Sequence, residues 1–320
     1  MSQRTLRAAK STAATDRPAL ASGIGRKNMS RIFRDWLRVR RGTVICVVIV
    51  CAIVSYSEQG NSQDDDIMKV VNEFQNPDPM RRSDAFYRLI ETGLGARLNG
   101  RTVKIPFALS QLSLKLPDKS DRIKVALIEL LERENSFRRN RTKENVQGGS
   151  TLGEEYGRYY GDLIAAVAGL KDIRALNGLL AVITTGKMAT DGLAALGDNA
   201  LDPIIERLGS EDAGMRQSAV IVLARMLDSE NVQWISSSGS RAKIKHAFAV
   251  TIRDENPYVR IAAIKGIAKL NDSDSIALIE NLAQNDPYEA SQHGGDKGFF
   301  PVREVAKRAL QSMKSTQPSK

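Results

Sequence analysis

Cysteine, histidine and aromatic side chains are scarce in this 320-residue chain, and each scarcity removes a class of chemistry. Both cysteines, Cys46 and Cys51, lie in one apolar segment near the N-terminus. The remainder therefore has no disulfide, no thiolate metal site and no cysteine nucleophile. An oxidising compartment is compatible with that absence. Of the two histidines, His246 sits in the periodic stretch AKIKHAFAV, where packing explains it, and His293 falls in a loop without a second histidine nearby. That excludes a His-rich metal cluster. No Gly-x-Ser-x-Gly, phosphate-binding glycine loop or dinucleotide fingerprint occurs either. With nothing to position a nucleophile and a base, the expectation is a protein that is not an enzyme and holds no cofactor or metal. Asp64-Asp65-Asp66 lacks the alternating spacing and glycine of a calcium loop. It is expected instead to cap the helix IMKVVNEF at 67–74.

The net charge of +10 is unevenly placed. Residues 1–41 carry eleven Lys/Arg against two acids, so nine of those ten charges sit there. A nucleic-acid footprint needs basic residues concentrated on the folded domain, so no nucleic-acid partner is expected. The local run Arg138, Arg139, Arg141 and Lys143 is flanked by polar residues and glycines, and 136–152 is expected to be a solvated linker.

Behind the basic region lies an uncharged segment, GTVICVVIVCAIVSYS at 42–57, followed by the polar, acidic EQGNSQDDD. Sixteen residues span about 24 Å as a helix, short of the ~30 Å hydrocarbon core, which suits an export signal or a short anchor. Ser55-Tyr56-Ser57 offers small residues for cleavage after Ser57, and reading from Met29 gives a signal peptide of ordinary length. A mitochondrial transit peptide is the competing interpretation of the Arg/Ser/Ala-rich start. With the basic flank kept in the cytoplasm, everything after 57 is expected outside it, released or tethered to the membrane through 42–57.

The body of the chain repeats itself. DENPYVRIAAIKGIAKL at 254–270 shares a frame with AGMRQSAVIVLARML at 213–227, FPVREVAKRALQSM at 300–313 and PDPMRRSDAFYRLI at 77–90. In that frame Arg82, Arg216, Arg260 and Arg303 occupy one position, followed by Ala85, Ala219, Ala263 and Ala306. Arg216 to Arg260 is 44 residues and Arg260 to Arg303 is 43, the period of a two-helix repeat. Each helix has one apolar stripe that only a neighbour can cover. The arginines either line a groove for acidic ligands or pair with turn acids such as Asp254 and Asp212, and the second is expected, because a cation in the first turn of a helix needs such a partner.

These units resemble HEAT repeats of the bacterial, phycobilisome-lyase-like kind, in which an acidic or Pro-containing turn precedes a second helix beginning Val-Arg. LDPIIERL at 201–208, AKIKHAFAVTI at 242–252 and SIALIENLAQ at 275–284 look like the matching first helices. The resemblance is good over 154–313 and degenerate over 65–135, where Ile123-Lys124-Val125-Ala126 stands in for Val-Arg; the regular solenoid is expected over 153–313, and 314–320 is left as a tail. It implies an all-α, HEAT-like solenoid of about five or six helix pairs, preceded by an N-terminal export or anchor helix. It also implies a non-catalytic protein-binding scaffold with an unidentified protein partner. The subfamily suggests the alternative of a ligand-handling, chromophore-lyase-like role.

Two stretches depart from the repeat. Pro287 to Arg303 is 16 residues where Pro257 to Arg260 is 3, so the last turn holds thirteen extra residues, YEASQHGGDKGFF. Tyr288, His293, Phe299 and Phe300 in that insertion are candidates for partner binding, since insertions in repeat arrays map to one face. The alternative is that Phe299-Phe300 cap the exposed end of the last repeat. The second stretch is GEEYGRYYGDLIAAV, where Tyr156, Tyr159 and Tyr160 suit either a binding surface or packing against the degenerate repeats.

Overall fold

Asn256 shows how this sequence makes its helices. Its backbone is extended, its side chain accepts the Tyr258 N–H, Pro257 takes the first helical position, and Asn271 ends the helix in the left-handed region. Asp78 and Asp212 start their helices in the same way, accepting from Met80 and Gly214. A capped start of this kind contributes about 1 kcal/mol.

The structure, a computed structural model, describes residues 60–95, 105–144 and 153–315 except 229, 230, 232, 234, 236, 237 and 295. The basic region 1–41, the 42–57 segment with its cleavage position, and residues 316–320 of the tail lie outside them. The helices are α1 (Gly60–Asn72), α2 (Pro79–Leu94), α3 (Ile105–Lys115), α4 (Pro117–Glu144), α5 (Glu154–Gly169), α6 (Leu176–Leu180) and α7 (Lys187–Ala195). They continue as α8 (Asp198–Glu206), α9 (Ala213–Met226), α10 (Ser238–Thr251), α11 (Pro257–Leu270), α12 (Ile276–Asn285) and α13 (Pro301–Ser315). No strand occurs among the described residues.

From α4 onward the helices pair in sequence: α4 with α5, α6 with α7, α8 with α9, α10 with α11, α12 with α13. The second helices α5, α7, α9, α11 and α13 stack on one another in order. Ahead of them α2 packs on α3, and both meet α5. The result is an all-α solenoid with one continuous core, from Phe86 and Leu131 through Leu163, Leu193 and Leu223 to Ile264 and Val302. Fully burying one such side chain stabilises the fold by about 1.5–3 kcal/mol. Two second-layer glycines sit where helices touch. A Cβ on Gly192 would lie 2.5 Å from the Ala168 Cβ, and one on Gly266 2.5 Å from the Phe248 ring.

The structure corrects three expectations. Helix α4 continues through Glu144, so 136–144 is helix and not linker; residues 145–152 lie outside the described set. Glu134 and Asn135 are buried partners of the α5 tyrosines and Phe137 packs on Tyr156, so the helix is held well past the expected break. The stretch 118–131 therefore belongs to the first helix of a pair, not a second one. Asp64–Asp66 lie inside α1, with Asp66 paired to Lys69 at 3.0 Å, and so do not cap it.

The outer face of α13 is polar: Lys307, Arg308, Gln311, Ser312 and Lys314 are exposed, while Val302, Ala306, Ala309 and Met313 are buried.

Candidate functional site

The repeated arginines form a ladder along the turns, built from the same bonds each time. Arg216 donates through Nε and Nη2 to the Asp254 carboxylate at 2.8 and 2.9 Å, and through Nη1 to the carbonyls of Ser210 and Glu211. Arg260 donates to the Asp286 carboxylate at 2.8 and 2.9 Å, and through Nη1 to the carbonyls of Asp254 and Glu255. Each arginine thus grips its own turn and the carboxylate of the next. Arg82 does the same with the carbonyls of Asn76 and Pro77, but its carboxylate is Glu134 from α4.

One repeat lacks both members of the pair. In α7 the matching position is Thr190, four after the N-cap Gly186, and the matching acid position in the following turn is Ser210, two before the N-cap Asp212. Where the arginine is missing, so is the acid. Burial pushes the Asp254 carboxyl up, yet the hydrogen bonds and charge of Arg216 outweigh it and hold it below the usual range. Asp212 serves as a cap and takes no ladder arginine.

The tyrosines of α5 are core, which corrects the interaction-surface option for Tyr156, Tyr159 and Tyr160. All three are at most 5% exposed. Tyr156 and Tyr159 donate to Glu134 at 2.6 and 3.1 Å, and Tyr160 donates to Asn135 at 2.6 Å. Glu134 thereby accepts from two tyrosines and Arg82, a fully hydrogen-bonded buried carboxylate. Burial pushes the Tyr160 phenol up to about 12, and moves Tyr156 and Tyr159 well above the ordinary phenol range, so all three remain proton donors. Glu134 was not legible as their partner, because it is one of three glutamates within ELLEREN and looks like any exposed helical acid.

The insertion at 288–300 divides into an anchored part and a presented part. Tyr288 is buried, its hydroxyl 3.2 Å from that of Tyr258, its ring edge-on to the Tyr258 ring at 6.0 Å. Tyr288 therefore belongs to the fold, a correction to its place among the binding candidates. A short 3₁₀ turn, Ala290–His293, follows, ending the backbone course on which His293 lies. The loop closes where the Ala290 N–H meets the Phe299 carbonyl at 2.8 Å, and Gly298 donates to the Glu289 carboxylate. Gly294 and Gly298 adopt φ of 78° and 79°, which only glycine takes without strain. Phe299 is left 44% exposed and Tyr258 43% exposed. Phe300 lies under the Arg303 guanidinium, 4.0 Å from ring centroid to Cζ. Since α13 already has a polar outer face, Phe299 is not buried as an end cap.

Elsewhere the surface offers little. A shallow cleft of about 350 Å³ is lined by Arg241, Lys245, Asn271, Asp272 and Asp274, but Lys245 is already ion-paired to both aspartates. Those bonds push its ammonium up to about 12. The other exposed large apolar side chains, Met80, Leu114, Ile173, Met188 and Val250, lie on separate elements. Among the described residues no group of three or more His, Cys, Asp or Glu could hold a metal, and no helix is long and apolar enough to cross a membrane.

No protein-family model matches this chain, and no curated protein matches it. Among solved structures, an engineered protein is similar at 15% identity over 78% of this chain and 97% of its own, with a TM-score of 0.37. A computationally designed armadillo repeat protein for modular peptide recognition is similar at 16% identity over 76% of this chain and 98% of its own, with a TM-score of 0.39. Likenesses this distant say nothing of activity. The stacked pairs and the arginine ladder that joins them make this chain an all-α solenoid of the helical-repeat type.

Proposed function

We propose that this chain is a non-catalytic, HEAT-type scaffold that binds a protein partner at its C-terminal turns, outside the cytoplasm. One observation carries the binding site: Tyr258 and Phe299 present aromatic rings to solvent from turns whose backbones are fixed. Tyr258 is held through Tyr288, and Phe299 through its carbonyl on Ala290. Aromatic side chains on a rigid frame lose little conformational freedom on binding and serve as anchors in protein interfaces. The extracytoplasmic location rests on the order of basic cluster, apolar core and acidic flank in 1–66.

The test is capture from envelope extracts by the full chain and by a Phe299→Ser variant. The proposal predicts at least one protein captured by the parent and lost with Phe299→Ser while the melting temperature stays the same. Equal capture by both would place binding elsewhere.

A further inference from the structure

Arg303 occupies the ladder position in α13, and its surroundings differ from those of the other rungs. Arg82, Arg216 and Arg260 each hold a carboxylate: Glu134, Asp254 and Asp286. Arg303 still bonds back to a turn carbonyl but through a different atom: its Nε donates to the Asp286 carbonyl at 2.7 Å, where Arg260 uses Nη1 for the carbonyls of Asp254 and Glu255 and Nε for the Asp286 carboxylate. The forward half of the pattern is missing: no carboxylate among the described residues reaches the Arg303 guanidinium. Among the described residues Arg303 takes part in no ion pair. Its first helical turn is also shifted by one residue. In α13 the first helical bond runs from Glu304 to Phe300, so Arg303 sits three residues after its N-cap, whereas Arg216 and Arg260 sit four after theirs. The guanidinium is instead laid on the Phe300 ring and remains half-buried, next to exposed Phe299.

We infer that Arg303, backed by Phe300, is a receptor for the carboxylate of an aspartate-bearing turn in the partner protein. With Nε held from behind by a backbone carbonyl, the Nη1–Nη2 edge of Arg303 would donate two parallel bonds to one carboxylate, as the Nε–Nη2 edge does in the other rungs. Phe300 holds the guanidinium plane by its π face, so little side-chain freedom remains to be lost on binding. Charge complementarity selects the occupant, since an arginine at a helix start is electrostatically unfavourable until an anion joins it. This inference rests on the protein-binding proposal above and names the chemistry of its contact.

The probe is a fluorescein-labelled peptide with the sequence of residues 252–259, Ile-Arg-Asp-Glu-Asn-Pro-Tyr-Val, whose aspartate is the one Arg216 takes within the array. The full chain is titrated by fluorescence anisotropy with this peptide, with its Asp→Asn counterpart, and with inorganic phosphate as competitor. The expected result is at least tenfold tighter binding of the Asp peptide than of the Asn peptide. Arg303→Gln should abolish that preference and Arg303→Lys, which keeps the charge but loses the fork, should retain only part of it. Equal affinity for both peptides, or a preference unchanged in Arg303→Gln, overturns the inference; displacement by millimolar phosphate with no Asp preference shows a general anion site and overturns it too. Should Arg303→Gln fail to fold, the Asp-against-Asn comparison on the parent still decides. If partner capture is lost with Phe299→Ser but not with Arg303→Lys, and the peptides do not differ, the scaffold proposal stands and this one fails.

Discussion

Removing the Arg260 guanidinium would strand Asp286, a carboxylate only 2% exposed, without its charge partner. Breaking a buried pair from one side costs about 3–5 kcal/mol. Arg260→Met is therefore expected to lower the urea midpoint strongly. Adding Asp286→Asn, which keeps an acceptor for the Tyr288 N–H, should recover at least ~1 kcal/mol of that loss through coupling. A double variant as unstable as the sum of the singles would show that the ladder bonds are independent of each other. The pH dependence follows from the same groups. Asp254 and Asp272 are held below the usual carboxylate range, so their contribution is fully present above the unfolded value of about 4 and is lost as pH falls through the lower folded one. The melting temperature is expected to be level from pH 7 to about 5 and to fall below about 4. In Asp254→Asn the acid limb should be shallower; an unchanged limb would remove Asp254 from the account. The arginine positions and Asp254 were legible from the repeat, because the spacing recurs. Asp286 as the partner of Arg260 was not stated, since the insertion after it disguised the turn, and Glu134 had no periodic position to betray it.

At the scale of elements, Gly192 sets how closely α5 and α7 approach. Any Cβ there would also lie 2.9 Å from the Ala168 Cα, which is backbone and cannot swing away. Alanine is the better helix former by about 1 kcal/mol, but overpacking costs typically 1–3 kcal/mol. Gly192→Ala is thus expected to destabilise the array in chemical denaturation, and a gain in stability would mean that the two helices are free to separate. Helix existence was readable wherever a capped turn preceded a 3.6-residue stripe, as in α2, α9 and α11. It was misjudged in the second half of α4. There SFRRNRTKE has no apolar stripe of its own, and the contacts that carry the helix on, from Phe137 to Tyr156 and from Arg138 over the Tyr160 ring, are made to another helix and leave no local periodicity. The insertion was located correctly from the broken spacing, yet its division into buried Tyr288 and exposed Phe299 depends on tertiary packing that one sequence does not display.

For the whole molecule, repetition makes the architecture legible and leaves the partner unnamed. A solenoid adds units through nearest-neighbour contacts, so its period survives in the sequence, whereas a binding surface is a single, non-repeating event. The proposed export is tested separately, on the whole chain. A reporter active only outside the cytoplasm, fused after residue 320, is expected to be active, and replacing Arg38, Arg40 and Arg41 by Glu should lower that activity. A silent parent fusion alongside an active cytoplasmic reporter would contradict it.

A self-sufficient solenoid with a proposed recognition loop on the turn before α13 is tested most directly by thermal unfolding of a loop-shortened chain. Residues 291–298 lie between the hydrogen-bonded Ala290 and Phe299, so an Asn-Gly pair can replace them without moving either end. Closure entropy changes by about 1 kcal/mol or less, which corresponds to a melting-temperature shift within about 3 °C for an array of this size. That small shift is the predicted result. A fall of more than about 8 °C would mean that the insertion is part of the core, and the loop would then no longer be available as a docking element.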